Sequence, residues 1–139
     1  MTRGVWLALV VSAGLIAELG GGTLGDAAHV TTDVPLAIAP EDLRHYQEAR
    51  EDVVVIDLRS SDAFRVGHLP HARSLPIGEL RRRTMEIPRA GRVVLYAATP
   101  DEAAAAYQAL REAGHRNVMV LAGGLPAWIH LGFPVDAVR

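Results

Sequence analysis

The chain has 139 residues, half of them hydrophobic, which suits one globular domain with a short appendage and is too little for two ordinary domains. Its formal net charge of −2 gives no electrostatic reason to bind nucleic acid, and the run Arg81-Arg82-Arg83 is read as a solvated helix face. No cysteine is present, so disulfides, thiolate metal sites and thiol catalysis are excluded together.

At the start of the chain, Arg3 precedes the apolar stretch "GVWLALVVSAGLIA", and the Gly-rich "ELGGGTLGDAAHV" follows it. A basic start, a short hydrophobic core and a small-residue region are the pattern of an export signal. Residues 1–28 are therefore expected to be a signal peptide or an N-terminal membrane anchor with its linker, contacting the membrane through residues 5–17. The stretch is shorter than the ~20 residues of a spanning helix, and Ala27 is an acceptable though distant cleavage site. This places the folded part in the periplasm or at the inner membrane. The alternative is a cytoplasmic protein whose N-terminal segment never meets a membrane.

The folded domain is expected over residues 36–139. "APEDLRHYQEAR" reads as a helix, with Pro40 in its first turn, Glu41 and Asp42 at its positive end, and Leu43 and Tyr46 at helical spacing. "VVVIDL", Val53 to Leu58, is a β-branched apolar run without alternation, as in a strand buried on both faces. A loop, Gly67 to Ala72, leads to a short strand in "ARSLP" and a helix in "IGELRRRTM". "RVVLY", Arg92 to Tyr96, is the next buried strand, and "PDEAAAAYQALREAG" is the strongest helix of the chain, closed by Gly114. "NVMVL" is a further strand, Gly123-Gly124 a turn, and "LPAWIHLG" a short helix. Alternating strands and helices predict an α/β fold, with a central parallel sheet covered by helices on both faces. In such sheets ligands sit beyond the carboxyl ends of the strands. "DLRSSD", "GHLPHA", "AATPDE" and "AGGLPAW" fall there.

Taken in order, these stretches resemble the rhodanese-like family. The specific parts are Asp57-Leu58-Arg59 before Gly67-His68-Leu69-Pro70, and Leu121-Ala122-Gly123-Gly124-Leu125 before Trp128, within a match from about Ala39 to Val135. The resemblance implies the family's three-layer α/β fold, and sulfurtransferase activity in its working members. In those, a cysteine immediately after the strand matching "VVLY" accepts a sulfane sulfur as a persulfide within a ring of loop N–H groups. That position is Ala97 here, and the place of a second cysteine in one loop variant is Thr99. A methyl group cannot hold a sulfane sulfur, because the chemistry needs a polarisable thiolate. The fold and the loop carry over; the reaction does not.

What remains at the loop is Ala97, Ala98, Thr99, Pro100, Asp101 and Glu102 as candidates for ligand binding. Thr99-Pro100-Asp101-Glu102 also fits a capping box, and its two acids compete with an anionic donor for the helix dipole. Asp57 and Arg59 are read as a buried or half-buried structural pair, Gly67 and His68 as parts of a structural loop, Gly123-Gly124 as a turn and Trp128 as core. His68 and His71 have a spacing found in metal sites but lack a third ligand, so neither metal nor cofactor is expected. Two functions follow: a non-catalytic binding or regulatory module of the cell envelope, with an unidentified protein or small ligand as partner, or an enzyme of unrecognised chemistry using Thr99, Asp57 or a histidine.

Overall fold

The computed structural model describes residues 34–139. The expected export segment and linker, residues 1–28, lie outside the described residues. No helix among the described residues is long and apolar enough to cross a membrane.

Five parallel strands form one sheet in the order β1-β5-β4-β2-β3. They are β1 (Ala37–Ile38), β2 (Val53–Asp57), β3 (Arg73–Ser74), β4 (Arg92–Tyr96) and β5 (Val118–Leu121). β4 lies at the centre, with Val55 opposite Val94 on one side and Val94 opposite Met119 on the other. Residues alternate across a strand, so an apolar run buried on both faces feeds two cores. Val93, Leu95 and Ala97 join Leu110, Tyr107, Leu80 and Ile87 on one face. Val94 and Tyr96 join Leu43, Leu69, Leu125 and Trp128 on the other.

The helices are α1 (Pro40–Glu48), α2 (Ser61–Val66), α3 (Pro100–Glu112) and α4 (Gly124–His130). The expected parallel sheet between helical layers is therefore the observed one. α3 ends in a Schellman arrangement: Gly114, at φ +91°, places its own N–H on the Arg111 carbonyl and that of His115 on the Leu110 carbonyl.

Three details depart from the sequence reading. "IGELRRRTM" is not an α-helix but two 3-10 segments, Ile77–Arg82 and Thr84–Glu86. Only Leu80 is buried there, too little apolar surface to hold an α-helical stripe against the sheet. The first Arg of the basic run to find partners is Arg83, which bridges Glu79 and Glu86 at 2.7 and 2.8 Å. α2 was not foreseen, because its six residues bury none of their side chains; it is held at its start by Ser60, whose hydroxyl accepts the Ala63 N–H. β1, at two residues, is too short to show a pattern.

Candidate functional site

β4 delivers the chain to the carboxyl edge of the sheet at Ala97. Its side chain is 9 % exposed and packs at the edge of the core formed with α3. The chain then turns through the exposed Ala98 and Thr99 into α3. Thr99 is the N-cap, its hydroxyl accepting the Glu102 N–H at 3.2 Å, with Pro100 in the first turn. Only half of the expected capping box forms, since the Glu102 carboxylate makes no return bond to Thr99. The backbone N–H groups of Ala98, Thr99 and Asp101 have no backbone partner among the described residues.

Across from this loop, β5 ends at the Gly123-Gly124 turn. Both glycines have positive φ, +70° and +59°, and a Cβ on Gly123 would lie 2.6 Å from that of Ala127. Glycine is required there by conformation and by space. Between the two loops lies a cavity of about 460 Å³, lined by Ala97, Ala98, Thr99 and Pro100 on one side, by Ala122, Gly123 and Gly124 on the other, and roofed in part by Pro35 and Pro126. No charged side chain among the described residues lines it.

The remaining candidates lie elsewhere. Asp57 is fully buried at the end of β2 and is held on all sides. Arg59 donates to it from Nη2 at 2.6 Å and from Nε at 3.0 Å, and the Arg59 N–H donates at 2.9 Å. The Tyr96 hydroxyl donates to Asp57 at 2.6 Å and accepts the Leu69 N–H at 3.2 Å. Arg59 reaches on to the Gly67 carbonyl at 2.6 Å, so one cluster ties β2, β4 and the loop after α2 together. The hydrogen bond to Asp57 raises the Arg59 pKa against the opposing effect of burial. Burial, with the bond to Asp57 added, pushes the Tyr96 phenol well above its ordinary value, so the ring stays protonated and keeps donating.

His68 lies on Phe64 with ring centroids 3.7 Å apart, and its Nδ1 is 2.7 Å from the Phe64 carbonyl. A carbonyl can only accept, so this nitrogen carries the hydrogen. Neither His68 nor His71 lines the cavity, and no three metal-ligating side chains converge among the described residues. Trp128 is buried, its indole donating to the Pro134 carbonyl at 2.8 Å. A second hollow, of about 180 Å³, lies over Trp128 beside α1, where its charged walls Arg44 and Glu48 pair with each other at 2.7 Å. Of the groups named as catalytic alternatives, only Thr99 faces the large cavity.

A rhodanese-like domain profile matches residues 39–131. The chain belongs to the rhodanese-like family. A sulfurtransferase of Allochromatium vinosum is 33 % identical over 87 residues, covering 63 % of this chain and 81 % of that protein. An uncharacterised protein of Synechocystis sp. is 31 % identical over 104 residues, 75 % of this chain, and the aligned part spans only 58 % of its relative's length. The rhodanese-like domain of the Alr3790 protein from Anabaena sp. superposes with a TM-score of 0.68 at 26 % identity, covering 75 % of this chain and 80 % of that one. The rhodanese-like chain described here contains no cysteine.

The signal that sequence reasoning missed is the length of the cluster around Asp57. Tyr96 reads as one more apolar residue of a strand, and nothing in its spacing announces a bond to a residue 39 positions earlier. The cavity's composition, by contrast, is visible in "AATP" and "AGG" once the two loops are placed side by side.

Proposed function

We propose that this protein is a non-catalytic rhodanese-like module, serving in the cell envelope as a binding or regulatory domain. Ala97 carries this reading. It follows directly on the central strand, at the floor of a cavity between two loops, where the family resemblance puts the sulfur-carrying cysteine. A persulfide needs a thiolate that attacks the donor and later releases the sulfur; a methyl group does neither. Thr99 offers no replacement, because its hydroxyl is engaged as a helix cap and is hydrogen-bonded to no histidine or carboxylate that would activate it among the described residues. The Asp57 carboxylate, enclosed by Arg59 and Tyr96, is turned to holding the fold.

The envelope location rests on the charge order and apolar core of residues 1–28. Fractionation of the tagged full-length chain tests it: recovery with membranes or periplasm is expected, and intact chain solely in the soluble cytoplasm contradicts it. The chemical half is tested by incubating purified full-length protein with thiosulfate and weighing it by intact mass spectrometry. An unchanged mass is expected, and gain of one sulfur atom would overturn the non-catalytic reading.

A further inference from the structure

We infer that the cavity above Ala97 is a binding site for an uncharged, largely apolar small molecule carrying one hydrogen-bond acceptor such as a carbonyl oxygen. The inference deepens the binding role proposed above and rests on it only in taking this cavity as the working site.

Size comes first: about 460 Å³ is within the range, roughly 300–1,000 Å³, of pockets that hold small organic ligands. The lining chemistry then selects. Alanine, proline, valine, leucine and glycine make up nearly all of the described wall, and no lysine, arginine or histidine among the described residues contributes. An anion entering there would lose its hydration with no cation to replace it. Asp101 and Glu102, in the first turn of α3, carry the wrong sign for an anion. They also offset the positive end of the helix dipole. A cation meets the same apolar wall, with the two carboxylates outside the lining.

The polar groups lining the cavity include hydrogen-bond donors. Thr99 lines it, and having accepted the Glu102 N–H, its hydroxyl keeps its own hydrogen to donate. The N–H groups of Ala98 and Thr99 add donors to the same loop. A neutral acceptor oxygen satisfies this set, while the rest of the ligand displaces water from alanine and proline.

The test uses two naphthalene dyes of similar size and different charge, followed by fluorescence on the full-length chain. One is prodan, a neutral ketone; the other is 1-anilinonaphthalene-8-sulfonate, an anion. Saturable binding of prodan is expected, at least tenfold tighter than that of the sulfonate. Ala98→Phe, at an exposed wall position, should weaken prodan tenfold or more while circular dichroism and melting temperature stay native. Thr99→Val should weaken prodan and Thr99→Ser should restore it, showing that the hydroxyl rather than the methyl group is required. Asp101→Asn with Glu102→Gln should narrow the gap between the dyes. Equal affinity for both dyes, no saturable prodan binding, or prodan binding untouched by a folded Ala98→Phe protein each overturns the inference. Sulfur gain in the mass measurement above would overturn the non-catalytic reading without moving these affinities, so the two failures are distinguishable.

Discussion

At the scale of single residues, two buried polar groups behave oppositely. Tyr96 is satisfied in both directions, donating to Asp57 and accepting from Leu69. Tyr96→Phe removes a donor from a fully buried carboxylate and leaves the Leu69 N–H without its partner, for which a cost of about 1–3 kcal/mol is expected. Urea unfolding would show it as a lower midpoint at unchanged slope; an unmoved midpoint would mean that the cluster contributes nothing. His115 is the reverse case. It is fully buried, and neither ring nitrogen has a well-formed hydrogen bond among the described residues; the Pro88 and Thr84 carbonyls beside the ring favour its charged form but do not outweigh burial. Burial, helped by the nearby positive charge of Arg89, lowers its pKa. The folded protein therefore favours neutral His115, while the unfolded chain titrates near the ordinary value of about 6.5. Above that pH the histidine leaves stability intact, and as pH falls from about 6.5 toward the depressed folded pKa the unfolded state takes up the proton first and stability declines. His115→Leu should flatten this part of the stability curve measured between pH 7 and pH 5 relative to wild type. Parallel curves would contradict it.

At the scale of elements, the site depends on two chain turns of different kinds. The head of α3 is fixed by Thr99, so Thr99→Ala is expected to cost about 1 kcal/mol, again read as a shift in urea midpoint. The turn after β5 is fixed by absence of a side chain: Gly123→Ala must enter the left-handed region, at roughly 1–2 kcal/mol, and meet Ala127 as well. A melting temperature unchanged in Gly123→Ala would show that the turn relaxes freely. Both turns were legible in the sequence, because Thr-Pro-Asp-Glu and Gly-Gly are local patterns whose physics is local. The buried strands were legible for the same reason: residues 53–56 and 93–96 are runs of apolar residues without polar alternation, so neither has a solvent face. What could not be read was set by distance or by weak burial. β1 exists because Ala37 and Ile38 meet Val120 and Leu121, α2 has no fully buried residue, and the 3-10 segments fully bury only Leu80. The Asp57–Arg59 contact is two residues apart and was visible; its extension through Tyr96 to Leu69 needed the fold.

At the scale of the whole molecule, a rhodanese-like sheet presents its usual strand edge with the central strand ending in alanine. The frame that would hold a reactive thiol is present: a buried strand, a capped helix start, and loop N–H groups around Ala97. Its described walls are apolar, and the first turn of α3 beside it carries the acids Asp101 and Glu102. Two features thus stand against sulfur transfer here: the absence of a thiol nucleophile and surroundings unsuited to an anionic sulfur donor. Negative charge beside a thiolate raises its pKa and repels such a donor, so restoring the thiol should restore reactivity only in part. The direct measurement is the initial rate of cyanide-dependent thiocyanate formation from thiosulfate, taken side by side on the wild type, Ala97→Cys, and Ala97→Cys combined with Asp101→Asn and Glu102→Gln. The account predicts no turnover above background by the wild type, slow turnover by the single variant, and a faster rate in the triple variant. Turnover by the cysteine-free wild type would contradict it.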